Sequence, residues 1–343
     1  MSLKVTGKHP AGKHLEKIKQ SPNYKENGFE NVSPTPMMLP GTSYYDLIKK
    51  NLNKNPDVKP PSKLPSFKND LKNTRSEHPI ITWFGHSSYL IKIKEKNILV
   101  DPVFSGHASP VSFMVKAFEG SDIYTTDDFP EIDFLILTHD HYDHLDFKTV
   151  KKLKKKVKAI YCSMGVSAHL IYWGFNEEII TELDWWQTAN LTSDMTLTAA
   201  PARHFSGRGL KRGKTLWSSF ILKTADDNLY LGGDSGYDVH FAEIGERFGP
   251  FDIAILECGQ YNTAWPLIHM MPEETVQAAL DLGAKVLLPV HWGKFTLALH
   301  PWNESPERVL KAAASTNLKV TTPMIGEPVI LHEVYPSANW WNF

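Results

Sequence analysis

Short apolar runs separated by polar turn residues begin near residue 80 and recur along the rest of the chain. The first two runs, residues 81–93 and 98–103, flank the turn KEKN and are rich in β-branched and aromatic residues. This pattern predicts a pair of strands. Further strands are predicted at residues 133–139, 159–163, 195–204, 216–224, 228–236, 251–259 and 285–293.

Two segments between these strands have helical spacing instead. In residues 146–158, Phe147, Val150, Leu153 and Val157 would lie on one face of a helix. Residues 271–285 open with proline and two glutamates and end at a glycine, which are start and stop signals of a helix. Strands interleaved with helices predict an α/β protein in which sheets pack together with helices outside.

The first 75 residues have a different composition. They are rich in Lys, Asn and Pro, with one helix-like patch at residues 43–52. We interpret residues 1–75 as an N-terminal extension that wraps the domain. Residues 76–343 then form the domain itself.

Composition narrows the class of protein. The chain has 343 residues, of which 42% are hydrophobic, and a formal net charge of -1. It contains 37 Lys and Arg residues against 38 Asp and Glu residues, so nucleic acid is not expected as a partner. The two cysteines, Cys162 and Cys258, lie in apolar runs and predict buried thiols rather than a disulfide framework.

No apolar run is long enough to cross a membrane, which predicts a soluble protein rather than an integral membrane protein. The start MSL resembles an expression scar. The expected compartment is therefore the cytoplasm, or the cell envelope if a leader was removed. Nothing in the sequence specifies an oligomeric state.

The highest concentration of ionisable side chains is in the stretch HDHYDH, at the end of the predicted strand at 133–139. His139 and His141 could meet one metal ion, while Asp143 and His144 of the same turn could meet a second. Burying so many ionisable groups without a partner would cost several kcal/mol, roughly, which favours metal binding over a structural role.

Three further ligand-type residues, His204, Asp234 and His291, each stand at the end of a predicted strand. The coherent assignment gives one metal to His139, His141 and His204, and the other to Asp143, His144 and His291, with Asp234 bridging. Imidazole with carboxylate suits zinc, and also iron or manganese. We therefore expect two divalent metal ions, with zinc preferred.

The motif THDHYDHLD resembles the HxHxDH signature of the metallo-β-lactamase superfamily, whose fold is a four-layered αβ/βα sandwich with a dinuclear site at the sheet edges. VDPVFSGHASP, PARHFSGRG and HWGKFTLALHPW, in order between residues 80 and 305, resemble the family of N-acyl-phosphatidylethanolamine-hydrolysing phospholipase D. The resemblance implies two zinc ions held by the seven ligands named above. It also adds His269, which matches a family histidine near the scissile phosphate.

This resemblance predicts a phosphodiesterase of phospholipase D type, acting on N-acyl phosphatidylethanolamine or a related phosphodiester. Asp143 would orient the nucleophile or take its proton, and His269 would position the phosphate or protonate the leaving oxygen. Asp101 is expected to support the HxHxDH turn as a hydrogen-bond acceptor, and His86 follows a strand that could approach the site.

The substrate would be a small molecule or a phospholipid, and the latter raises the question of peripheral membrane contact. The basic run KKLKKKVK could meet anionic headgroups, and the tryptophans of DWWQ and NWWNF could line a lipid groove. A solvated helix face and core packing are the commoner roles of such residues.

Other members of the superfamily suggest alternative functions for this chain. A zinc β-lactamase would carry cysteine in place of Asp234, and an RNA-processing member would need a long insertion before His291. A lactonase of the sugar-phosphate type can share the whole metal set and is the main alternative. A non-hydrolytic iron-binding sensor is a second alternative, which tight iron without ester hydrolysis would reveal.

Overall fold

The predicted strands assemble into two mixed sheets in the computed structural model, which describes residues 3–39, 41, 43 and 56–343. In the described residues, the first sheet has seven strands in the order β14-β1-β2-β3-β4-β5-β6. Its strands are β1 Ile80–Trp83, β2 Tyr89–Ile93, β3 Lys96–Val100, β4 Ile132–Leu137, β5 Val157–Ser163, β6 Ile180–Leu183 and β14 Pro328–Ile330.

The second sheet also has seven strands within the described part of the chain, in the order β13-β12-β11-β10-β9-β8-β7. These are β7 Thr188–Thr192, β8 Met195–Ala200, β9 Ser219–Lys223, β10 Asn228–Leu231, β11 Ile253–Glu257, β12 Val286–Val290 and β13 Lys319–Val320. The edge strands β6, β7, β13 and β14 are short or partly polar, which is why the apolar pattern does not predict them.

The described helices lie outside the two sheets. They are α1 Gly12–Ile18, α2 Phe147–Leu153, α3 Ser167–Tyr172, α4 His240–Phe248, α5 Pro272–Asp281 and α6 Glu304–Ala313. Three short 3₁₀ turns span Leu3–Thr6, Pro56–Val58 and Glu177–Ile179.

Burial shows how these elements form layers. One face of the first sheet packs on the second sheet, for example Ile91 and Ile136 with Leu197 and Leu222 in one core cluster. The same cluster continues through the second sheet to α4, α5 and α6. The other face of the first sheet packs on α2 and α3 in a separate cluster. This order of helix, sheet, sheet and helix confirms the predicted four-layered αβ/βα sandwich.

One predicted helix is shorter than its apolar spacing indicates. α2 begins after Asp146, whose side chain accepts a hydrogen bond from the Lys148 backbone N–H, and it ends at Leu153. Val157 is the first residue of β5 rather than the last on the helix face. Since the chain has to cross to the adjacent parallel strand, the turn at residues 154–156 takes precedence over the helical pattern.

Residues 3–39 pack along one side of the domain. Ile18 and Phe29 are buried in a cluster with Trp185, Leu216 and Trp217. The predicted helical patch at 43–52, apart from residue 43, lies outside the described residues.

The tryptophans considered for a lipid groove are largely core residues. Trp185, Trp340 and Trp341 are buried, and Trp186 stacks on Phe248. No helix in the described ranges has the length and apolar character needed to cross a bilayer. The basic run spans the end of α2, the turn at 154–156 and the start of β5, at the edge opposite the carboxyl end of β4 where HDHYDH begins.

Candidate metal centre

All seven predicted metal ligands lie at one edge of the sandwich. Strands β1, β3 and β4 of the first sheet run in the same direction, as do β8, β10, β11 and β12 of the second. Carboxyl ends of strands with a common direction meet at one edge of a sheet. Segments that follow β1, β4, β8, β10 and β12 carry His86, the HDHYDH turn, His204, Asp234 and His291 respectively.

Three histidines converge at one point of this edge. His141 Nδ1 lies 3.0 Å from His139 Nε2 and 3.2 Å from His204 Nε2. Two nitrogens bound to one zinc ion in tetrahedral geometry would be about 3.4 Å apart. The three imidazoles therefore already have the spacing of ligands to a single ion, and with Asp234 they form one group of potential metal ligands.

A second group contains Asp143, His144 and His291, together with His86. Asp143 Oδ2 lies 3.6 Å from His144 Nε2 and 2.8 Å from His86 Nε2. The His86 ring lies 4.0 Å, centre to centre, from the His291 ring. His86 thus does approach the site, as a direct neighbour of a predicted ligand.

Asp234 lies between the two groups. Its Oδ2 is 3.8 Å from His139 Nε2 and 3.7 Å from His204 Nε2. Its Oδ1 is 3.1 Å from His144 Nε2 and 3.1 Å from His291 Nδ1. One oxygen therefore faces each group, which is the arrangement of a bridging carboxylate.

Unpartnered buried atoms show that the residues fit metal ions. His144 Nε2, His291 Nε2 and Asp234 Oδ1 are buried and make no hydrogen bond among the described residues. Buried polar atoms are nearly always satisfied, and an orphaned one calls for an explanation. His144 Nε2 and Asp234 Oδ1 lie 3.1 Å apart, so one bound divalent cation would satisfy both atoms.

The ionisation of most of the site suits a cation. His144 differs, because burial would lower its pKa but Asp234 and Asp143 raise it well above the ordinary value. Burial lowers the pKa of His139, His204 and His291 well below the ordinary value, so these imidazoles are neutral and have lone pairs to donate. Burial alone would raise the pKa of Asp234, but the neighbouring His144 and His291 hold it well below its ordinary value. The bridging residue is therefore a carboxylate.

Asp101, the expected support of the HxHxDH turn, contacts His144 and Thr138. Its Oδ2 lies 2.7 Å from His144 Nδ1, and its Oδ1 accepts the Thr138 backbone N–H at 2.9 Å. The contact fixes the tautomer of His144 with Nε2 free for a metal. Asp101 itself has φ of 42°, in the left-handed region that non-glycine residues rarely adopt.

His204 and His291 are held in a similar way. His204 Nδ1 lies 2.8 Å from the Ile268 carbonyl, and its backbone N–H and C=O are both bonded to the Asn31 side chain. His291 Nδ1 lies 2.9 Å from Ser87 Oγ. His86 and His291 have φ of 53° and 69°. Strained backbone of this kind gathers where the surrounding structure holds a functional residue in place.

His269 lies beside both groups, with its ring centre 5.0 Å from that of His204 and 5.2 Å from that of His291. Its Nδ1 lies 3.1 Å from Glu257 Oε1. Burial raises the pKa of Glu257 to about 7, against the opposing effect of His269. Burial would lower the pKa of His269, but Glu257 raises it above the ordinary value. The two residues form an acid and base pair at the edge of the site, in which Glu257 is buried and His269 is partly exposed.

Glu257 and Gln260 are among the supporting residues that were not predicted. Glu257 ends the apolar strand β11, so the strand-end rule that selects Asp234 would also have found it. Gln260 has no such signal. Its side chain donates to the carbonyls of His291 and Phe295 at 3.3 Å each, and accepts from the N–H groups of Leu297 and Ala298. It thereby fixes the loop that carries His291.

The site opens toward solvent on one side. His141 and His269 are partly exposed and Asp143 is marginally so, whereas His86, His144, His204 and His291 are almost completely buried. A substrate would therefore approach across His141, Asp143 and His269.

Comparison with known proteins agrees with this architecture. A model of the β-lactamase superfamily domain matches residues 96–292. An uncharacterised protein of Mycobacterium tuberculosis is 39% identical over 94% of this chain and 88% of its own length. The N-acyl-phosphatidylethanolamine-hydrolyzing phospholipase D 1 of Caenorhabditis elegans is 29% identical over 72% of this chain and 76% of its own length.

Solved structures show the same fold at lower identity. Igni18, a metallo hydrolase from the archaeon Ignicoccus hospitalis, superposes with a TM-score of 0.56 at 19% identity, over 75% of this chain and 99% of its own. At this identity the likeness concerns the fold alone.

Proposed function

The chain belongs to the β-lactamase superfamily, and we propose that it is a dinuclear metal-dependent hydrolase of the phospholipase D type. Its substrate would be N-acyl phosphatidylethanolamine or a related phosphodiester. The observation that carries the proposal is Asp234, whose two oxygens each face a separate group of histidine ligands. The relative named N-acyl-phosphatidylethanolamine-hydrolyzing phospholipase D supports the choice of substrate.

The proposed ligands divide into two sets that share Asp234. One set is His139, His141 and His204, and the other is Asp143, His144 and His291. Two divalent ions bound there would supply Lewis acidity toward phosphate oxygens and a water of lowered pKa. We propose zinc because neutral imidazoles outnumber carboxylates, with iron or manganese as alternatives that the same donors accept.

Asp143 and His86 act on the side where water attacks. His86 Nε2 lies 2.8 Å from Asp143 Oδ2, which holds the carboxylate in one orientation. The second carboxylate oxygen of Asp143 then orients the attacking water in line with the bond to be broken. Because Asp143 borders the open side of the site, its carboxylate can reach the water beside the substrate.

His269 acts on the leaving group. Glu257 accepts a hydrogen bond from Nδ1–H of His269, which leaves Nε2 as the nitrogen that can face the substrate. A proton on Nε2 would pass to the oxygen of the departing alcohol as the phosphorus–oxygen bond breaks. For N-acyl phosphatidylethanolamine the products would be phosphatidic acid and an N-acylethanolamine.

A phospholipid substrate implies contact with a membrane surface, which we propose is peripheral. The basic run at residues 151–158 does not provide this contact beside the site, because it lies at the opposite edge of the first sheet. The membrane would instead meet the edge that bears His141, Asp143 and His269.

The test is hydrolysis by the metal-loaded protein of three substrates: bis(p-nitrophenyl) phosphate, N-acyl phosphatidylethanolamine in vesicles, and a panel of lactones. Diester and phospholipid cleavage that is lost in His269→Gln, while both metals stay bound, is the expected result. Cleavage of lactones alone would replace the proposal with a lactonase. Tightly bound iron with no hydrolysis of any ester would instead indicate a non-hydrolytic iron-binding sensor.

A further inference from the structure

Asp140, between the ligands His139 and His141, is buried and turned toward a different part of the chain. Its carboxylate accepts the Gly207 backbone N–H at 2.7 Å and lies 3.1 Å from His169 Nε2. The motif HDHYDH is thus anchored on the side away from the metal ligands by a residue that is not itself a ligand. No spacing in the sequence singles out His169.

The second nitrogen of His169 is bound by the N-terminal segment. The Lys8 backbone N–H donates to His169 Nδ1 at 3.1 Å. A ring nitrogen that accepts from a backbone N–H carries no proton, so the proton of neutral His169 is on Nε2, facing Asp140. The hydrogen bond from Lys8 therefore selects the tautomer that holds Asp140.

Arg208 makes a second link between the same two segments. Its side chain donates to the carbonyls of Asp140 and Leu145 at 2.7 Å each, and to the Val5 carbonyl at 2.9 Å. The guanidinium is buried and lies over the Tyr142 ring at 4.1 Å. One cation thus joins both ends of the loop 140–145 to the N-terminal segment.

The close approach of the two segments requires glycine at position 7. Gly7 has φ of 72°, and a Cβ added there would lie 2.1 Å from His169 Nδ1. The His169 ring cannot give way easily, because it is buried and bonded at both nitrogens. Gly12 has φ of 56° with open space around its Cβ position, so it offers the same backbone conformation without the contact.

We propose that residues 4–8, which we name the strap, position the metal-ligand loop 139–145 through His169 and Arg208. Trp173 adds a further contact, because its indole N–H donates to the Lys4 carbonyl. His169 and Arg208 are positioning residues in this account, since neither contacts the substrate side. Undocking the strap loosens the loop and weakens metal binding without altering any ligand. The metal-binding part rests on the proposed function.

The test compares Gly7→Ala with Gly12→Ala in the full-length chain. Hydrogen exchange measures the order of residues 4–8 and 139–145, and competition with a chelator measures zinc affinity. Gly7→Ala is expected to speed exchange in both segments and to weaken zinc binding by about 10- to 100-fold, the range found when groups behind metal ligands are removed. Gly12→Ala should match the wild type in both measurements.

Lys8→Pro provides a second variant in case Gly7→Ala does not fold. It removes the backbone N–H that binds His169, because proline has none, and it also fixes φ at position 8. Faster exchange at 4–8 with unchanged exchange at 139–145 and unchanged zinc affinity, in either variant, would overturn the proposal. Both readouts are independent of turnover. If the wild type cleaves no diester, the proposed function is wrong. The positioning role of the strap would still be tested by hydrogen exchange.

Discussion

Opposite edges of the sandwich each hold a cluster of histidine and carboxylate side chains, but the two clusters differ in kind. One edge, called the metal edge below, carries the two groups of candidate metal ligands. At the other, Asp227, Asp252 and His332 also have potential ligand atoms within 4.8 Å of one another. This second cluster borders a cavity of about 940 Å³, lined largely by residues 72–80 and 92–97.

The difference lies in the partners of the buried atoms. Asp227 Oδ1 lies 3.2 Å from His332 Nε2, and the oxygens of Asp252 accept from Lys285 Nζ at 2.8 Å and from the Asn228 backbone N–H at 2.9 Å. Each group at this far edge already has a protein partner. At the metal edge, His144 Nε2, His291 Nε2 and Asp234 Oδ1 have none. Unsatisfied buried ligand atoms that lie within a group of further ligand-type side chains therefore favour the first edge over the second as a metal site.

The largest expected effect comes from removing the bridging charge. Asp234→Asn should lower diesterase turnover by about 10³-fold or more, because several kcal/mol of charge stabilisation depend on the metals it holds. Metal content should fall as well. Asp227→Asn at the far edge is the matched control and should leave both quantities at wild-type values. Equal losses in the two variants would remove the distinction between the edges.

A smaller effect is expected from the groups behind the ligands. Asp101→Asn removes a charge and one acceptor from the residue that orients His144, which should weaken metal binding or activity by about 10- to 100-fold. Asp252→Asn makes the same chemical change in a carboxylate that holds only a backbone N–H and a lysine. Chelator competition should show no change of metal affinity in that control.

Gln260 tests whether the loop that carries His291 depends on its support. Gln260→Glu keeps the acceptors for Leu297 and Ala298 but removes both donors to the carbonyls of His291 and Phe295. Leaving buried acceptors unsatisfied should lower the free energy of unfolding by about 1–3 kcal/mol. Urea denaturation measures the change, and the exposed Gln20 gives a control, Gln20→Glu, expected within about 0.5 kcal/mol of wild type. A loss in Gln260→Glu no larger than in the control would contradict the supporting role.

The smallest effect concerns a pair outside the candidate site, formed by a partly exposed histidine and a carboxylate. His14 Nε2 lies 2.9 Å from Glu182 Oε2, and this hydrogen bond raises the pKa of His14 above 6.5. Burial would raise the pKa of Glu182, but the contact with His14 contributes to lowering it. The stabilisation by this pair is therefore present at pH values between the ordinary pKa of Glu182 and that of His14. It fades as the pH rises through the raised pKa of His14. It also fades in acid, below the ordinary pKa of Glu182.

Comparison of the wild type with His14→Gln measures this dependence. The wild type should be more stable near pH 6 by less than about 1 kcal/mol, and the difference should vanish at pH 9. A difference that grows with pH would have the wrong sign for a pair that needs protonated His14.

The sequence predicts that these candidate ligands meet at one edge because their positions follow a simple rule. Asp234 and His291 come directly after buried apolar strands, and strands of one direction end together. Supports such as Gln260, Asn31 and Lys8 obey no local rule, since each bonds to a segment 31 or more residues away. Such contacts exist only once the chain has folded. At Val157 the local pattern is present but misleading: its spacing predicts a helix residue, whereas it is the first residue of the parallel strand β5.

Anomalous diffraction from crystals loaded with zinc tests the central claim most directly, because it locates each ion on the molecule. The account predicts two peaks at one edge, the first among His139, His141 and His204 and the second among Asp143, His144 and His291, with Asp234 between them. A single peak, or a peak beside Asp227 and His332, would contradict it.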